Sequence, residues 1–154
     1  MARILETVES FFKNDEWPYT QLEGKSVLRT GFNGNNGQWT CYAQERADQE
    51  QMVFYSVFPI KAPQDKLYTV AEFITRANYG MVIGNFEMDF SDGEIRYKTS
   101  LDVEGEALTE GLIHHIVYAN VFTMDKYFSG FMKVIYSGQL PEEAVEEVES
   151  AATE

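Results

Sequence analysis

Two histidines stand side by side at His114-His115, in a stretch whose apolar residues recur at helical spacing. Neighbours on a helix point about 100° apart, so the pair cannot share one metal ion as histidines four positions apart can. No HExxH pattern or cysteine cluster accompanies them, and they read as ordinary helix-flank residues. Glu87 and Asp89 lie on one strand face, at the spacing of paired acids in a hydrolase. In the strand pairing set out below each faces a basic residue, which suits a solvated ion pair better than acid catalysis. Gly80-x-x-x-Gly84 and the run Asn33-Gly34-Asn35-Asn36-Gly37 are the glycine-rich features. Neither leads into Lys-Ser/Thr or a parallel βαβ unit, so a phosphate cradle is not expected. Cys41 sits on an apolar strand face beside Trp39, without a histidine in a recognisable arrangement, and reads as a buried, inert thiol. As the lone cysteine it can form neither an intrachain disulfide nor a cysteine zinc cage. The expectation is no catalytic residue, no cofactor and no metal.

These residues are carried by a strongly patterned chain. Between Met81 and Val103, two runs alternate apolar and polar residues and meet at Asp92-Gly93. Phe86, Met88 and Phe90 share one side, as do Ile95, Tyr97, Leu101 and Val103. A period of two broken by Asp-Gly predicts an antiparallel hairpin with one buried face. With Asp92 and Gly93 as the centre of a type I′ turn, Phe90 meets Ile95, Asp89 meets Arg96, Met88 meets Tyr97 and Glu87 meets Lys98. Every pair is then apolar or oppositely charged.

Arg3 to Lys13 forms an amphipathic helix with Ile4, Leu5, Val8, Phe11 and Phe12 in one stripe. Strands are expected over Tyr19 to Glu23 and Val27 to Asn33, then a tight loop over Asn33 to Gly37 whose residues tolerate positive φ. Gln38 to Arg46 follows, with Trp39, Cys41 and Ala43 on one side and Thr40 and Tyr42 on the other. Met52 to Phe58 differs, because Val53, Tyr55 and Val57 make its second side apolar too. Such a strand is central and covered twice, by this chain or by a partner. A helix from about Asp65 to Asn78 turns Leu67, Val70, Ala71, Ile74 and Ala77 inward, with Gly80 just past its end. Thr109 caps a long helix that Ser129-Gly130 bends or splits, and Gly138 ends it; Pro141 opens a short acidic helix. The predicted fold is α+β, one antiparallel β-sheet with helices packed on one face, in the order α-β-β-β-β-α-β-β-α-α. It forms a single domain over residues 1–149, with a frayed acidic tail at 150–154.

The composition excludes several functions. A net charge of −13 and a pI near 4.5 oppose nucleic-acid binding and an anionic membrane surface. No apolar run is long enough to span a bilayer, and the N-terminus lacks the pattern of a signal peptide, so a cytoplasmic protein is expected.

Three stretches carry a resemblance. EFITRANYGMVIGNFEMDFSDGEIRYKTSLDVEG (Glu72 to Gly105), NGNNGQWTCYA upstream and NVFTMDKYFSGFMKVI downstream resemble cyanobacterial members of the YbjN-like family. That resemblance implies a fold similar to the type III secretion chaperones, small acidic proteins that commonly dimerise and bind other polypeptides. It implies a regulator of sensory transduction or a chaperone-like adaptor, with no catalytic residues to carry over. The leading expectation is a non-enzymatic protein-binding module with a protein partner, homodimeric, using Tyr42, Val53, Tyr55 and Val57. The alternative is a small-molecule-binding or enzymatic domain with a pocket between sheet and long helix, touched by Asn120.

Overall fold

The computed structural model describes residues 3–151. Ten elements follow in the expected order: α1 (Arg3–Asn14), β1 (Thr20–Gln21), β2 (Val27–Asn33), β3 (Gln38–Arg46), β4 (Gln51–Val57), α2 (Leu67–Asn78), β5 (Asn85–Met88), β6 (Ile95–Asp102), α3 (Glu110–Met132) and α4 (Pro141–Ala151). The strands form one antiparallel sheet in the order β1-β2-β3-β4-β6-β5. Alternation does what the pleat requires. Leu28, Cys41, Ala43, Met52, Phe54, Ile95 and Tyr97 point into the core and are almost wholly buried, together with Ile113, Val117, Val121 and Phe131.

A polar network fixes α3 on the sheet. Asn120 is fully buried; its Nδ2 donates to Phe54 O (2.9 Å), Tyr97 O (3.1 Å) and Thr99 Oγ1 (3.2 Å). Its Oδ1 accepts from Ser56 Oγ (2.6 Å), which in turn accepts from Trp39 Nε1 (2.9 Å). Thr99 Oγ1 donates onward to Ile116 O (2.9 Å). Every member has a partner, the condition under which a buried network specifies one packing rather than weakening it.

The helix ends are set locally. At the end of α1, Trp17 N donates to Phe12 O (2.8 Å) and Glu16 N to Lys13 O (3.1 Å), the two bonds of a Schellman motif. Glu16 occupies its left-handed position (φ 56°), where glycine is usual. The motif's apolar contact is Trp17 edge-on to Phe12 at 5.3 Å. The other end of α1 is held from the sheet: buried Glu45 accepts from Ile4 N and Leu5 N, both at 3.1 Å. Thr109 caps α3, accepting from Leu112 N. Rather than bending at Ser129-Gly130, α3 runs unbroken to Met132 and then widens into a π-type turn over Lys133–Ser137, ended by Gly138 at φ 69°. Gly130 sits inside α3 because a Cβ there would press on the Phe73 ring.

The structure corrects several details. The β5–β6 register is Asn85↔Lys98, Phe86↔Tyr97, Glu87↔Arg96 and Met88↔Ile95, two residues away from the expected pairing. A two-residue loop gives way to a four-residue one, Phe90 to Gly93, closed by Asp89 N donating to Glu94 O (2.9 Å). Asp89 Oδ1 accepts from Ser91 N and Oγ, Asp92 Oδ1 accepts from Glu94 N, and Gly93 is left-handed at φ 81°. Those caps favour the wider loop. An even displacement leaves every side chain on its expected face, except that Phe90 rides out onto Tyr68. The first strand shrinks to Thr20–Gln21, β4 runs over Gln51–Val57, and a 3₁₀ turn at Gln64–Lys66 precedes α2. Phe73 joins the inner face of α2, whereas Ala71 is only half-buried. Helix α4 reaches Ala151; the rest of the expected tail lies outside the described residues.

Candidate functional site

The residues singled out for catalysis stay apart. His114 packs edge-on against Phe11 (6.2 Å) and lies 4.6 Å from Tyr118, ring to ring. Among the described residues no group of three His, Cys, Asp or Glu side chains could hold a metal. Glu87 is shared by Arg96 and Lys98, the latter at 3.0 Å. Burial raises its carboxyl, but the hydrogen bonds and charges of Lys98 and Arg96 outweigh that and hold it below the ordinary carboxylate range. Asp89 is not opposite Arg96 as expected; it caps the turn, and the bonds from Ser91 hold its carboxyl down. Burial pushes the Cys41 thiol up to about 12, against weaker opposing bonds from Ser56 and Trp39, so it stays a protonated thiol near neutrality. Asn120 spends its whole amide on internal partners.

The Asn33–Gly37 run has a purpose the sequence did not reveal. None of its five residues has positive φ. The loop instead clasps α3: Asp125, nearly buried in mid-helix, accepts from Asn35 N (3.0 Å) and Asn36 N (2.8 Å), and Asn36 Nδ2 donates to Asp125 O (3.0 Å). A Cβ on Gly34 would overlap the Asp125 carboxylate, and one on Gly37 would overlap the Phe128 ring. The glycines are there for close approach rather than for turning.

What remains is the other side of the sheet. Its residues form a grid whose rows follow the register. One row runs Thr20, Arg29, Tyr42, Tyr55, Lys98, Asn85; the next runs Gly31, Thr40, Val57, Arg96, Glu87; a third runs Val27, Gln44, Val53, Ser100. Tyr42, Val53, Tyr55 and Val57 therefore share this face as neighbours. Tyr42, Tyr55 and Val57 are half-buried, and Val53 is already buried. The Arg96 guanidinium lies 4.1 Å from the centre of the Tyr55 ring. Tyr42 borders two hollows: one of about 550 Å³ shared with Gln38, Thr40, Val57 and Lys61, the other of about 370 Å³ shared with Tyr19, Thr20 and Arg29. Helices cover one side of β4, while the opposite side keeps its tyrosines half-exposed. Among the described residues of this face no nucleophile, base and charge-stabilising group converge on one point; what it offers is area.

A family model named YbjN, described as "Putative bacterial sensory transduction regulator", matches residues 5–132. No curated protein matches the sequence. The crystal structure of YbjN from E. coli, described as a putative transcription regulator, superposes with TM-score 0.60 at 9% identity, covering 79% of this chain and 85% of that one. A chain of the HopA1–SchA chaperone–effector complex gives TM-score 0.57 at 11% identity, covering 83% and 94%. A chain of the ExsC–ExsE complex gives 0.53 at 10%, covering 83% and 92%. At these identities the likeness is one of fold, and the fold is the chaperone-like α+β sandwich expected. No helix of the described residues is long and apolar enough to cross a membrane.

Proposed function

The chain belongs to the YbjN family, and on that premise we propose that it is a non-enzymatic protein-binding adaptor or regulator, acting in the cytoplasm, that binds through the open face of its sheet. The observation that carries this reading is the contiguous row Tyr42–Tyr55, with Val57 beside it, left half-exposed on the side away from the helices. Contiguous apolar surface of this kind marks contact sites. Tyrosine serves such sites well, since its ring buries a large area at low conformational cost and its hydroxyl tolerates a wet rim. Support also comes from the chaperone–effector complex among the structures of similar fold. The homodimer expected from the sequence belongs to this proposal, formed through another surface, and light scattering of the intact chain is expected to read twice its 17.7 kDa.

A photo-crosslinking amino acid placed at Tyr42, in the cells that make the protein, tests the reading. The expected result is a discrete polypeptide adduct at Tyr42 and none from the same label at Glu72, which is exposed on α2. Equal adducts at both positions, or none at Tyr42, would remove the assignment.

A further inference from the structure

The charge of the open face runs against that of the molecule. The chain carries −13 overall, yet within the paired strands this side of the sheet presents four basic residues, Arg29, Arg46, Arg96 and Lys98, against two acidic ones, Glu87 and Asp102, while Lys61 and Glu94 add one charge of each sign beside Val57. Both acids are engaged, Glu87 by Arg96 and Lys98 and Asp102 by Gln51 Nε2 (3.0 Å). Arg29 and Arg46 form no ion pair among the described residues. Arg29 and Lys98 bracket Tyr42 and Tyr55 in one row across four neighbouring strands. Three inter-strand spacings put the two basic positions about 14 Å apart. A helix with its side chains is about 10–12 Å across, so one lying along the strands fits between them.

Resting on the reading above, we propose that the open face receives an amphipathic helix from a partner polypeptide. Its apolar stripe lies on Tyr42, Tyr55 and Val57, and acidic residues along its flanks meet Arg29 on one side and Arg96 and Lys98 on the other. A face, unlike an edge, offers side chains rather than unpaired backbone, so it is met by a helix in a second layer and not by an added strand. The opposite side of this sheet already carries such a helical layer. A second copy is a poor occupant: face-to-face pairing by a two-fold centred between Tyr42 and Tyr55 would set the basic ends of the row, Arg29 and Lys98, against basic positions of the other copy. A nucleic acid is a poor one as well, because the chain's charge repels polyphosphate.

The probes are two labelled synthetic helices of roughly 16 residues, matching the ~23 Å of a seven-residue strand. They share one leucine stripe and differ only in glutamate or lysine flanks; a poly(dT) oligonucleotide is the third probe. Fluorescence anisotropy with the intact protein is expected to show the glutamate helix binding about tenfold or more tighter than the lysine helix, and weakening with salt. Arg29→Glu, and independently Arg46→Glu, should narrow or invert that preference, both side chains being exposed and outside every ion pair of the described residues. Equal binding of both helices, lost in Tyr55→Lys, would overturn the acidic helix while leaving a protein-binding face standing. Absence of binding by either helix, tighter binding of poly(dT), or a dimer that Tyr55→Lys dissociates would each overturn it too.

Discussion

Asn120→Leu is expected to cost about 3–5 kcal/mol of folding stability, the largest loss from any single polar side chain here. The replacement keeps the volume of the side chain but strips partners from Ser56 Oγ, Thr99 Oγ1 and the carbonyls of Phe54 and Tyr97 in a site with no water access. Buried groups deprived of their partners pay the full cost of having left water. Urea unfolding followed by tryptophan fluorescence measures it well, since Trp39 Nε1 donates into the same network. Combined with Ser56→Ala, the two losses should be less than additive by more than about 1 kcal/mol, the mark of a shared network. A single-variant loss under about 1 kcal/mol would mean that α3 is held by its apolar stripe alone.

Gly37→Ala is expected to destabilise by about 2–3 kcal/mol, lowering Tm by roughly 4–12 °C. The added methyl would overlap the ring of Phe128. That ring cannot retreat, being packed against Trp39 at 5.7 Å and Phe58 at 4.8 Å. The loop would have to lift, taking Asn35 N and Asn36 N away from Asp125. The same change at Gly111, where the nearest foreign atom is 3.8 Å away in the first turn of α3, should leave stability unchanged or raise it by up to about 1 kcal/mol. Opposite signs in two thermal melts identify the clasp; equal small effects would dismiss it.

Much of the fold follows from periodicity because burial imposes it. Strand faces, the stripe of α1 and the two-sided character of β4 each depend only on which residues share a side. The β5–β6 register escapes such reasoning, since a displacement by two preserves every face and the Asp92-Gly93 pair suits either loop. The side-chain caps of Asp89 and Asp92 decide it, and those become visible only with three-dimensional positions. Phe73 lay outside the expected stripe of α2, and its ring is buried because Phe131 and Tyr127 of α3 reach it, a contact that the spacing within α2 cannot show. The clasp of Asn33–Gly37 on Asp125 joins residues about ninety positions apart, so the glycines could be read locally only as turn formers. The open face was half legible. Tyr42, Val53, Tyr55 and Val57 follow from alternation, whereas Arg29, Arg46, Arg96 and Lys98 come from three strands and gather only once the strand order is known.

Tyr55→Lys tests the proposed binding face most directly. The substitution places a second ammonium opposite Lys98 in the middle of the surface while leaving the helix-side core untouched. Wild-type and variant protein, immobilised side by side, are exposed to extract of the native cells, and thermal melts are run on the same samples. The account predicts melts within a few degrees of each other and at least one protein retained by wild type and depleted about tenfold or more on the variant, as loss of a central aromatic contact requires. A Tyr55→Lys protein that melts like wild type and retains the same proteins in the same amounts would contradict it.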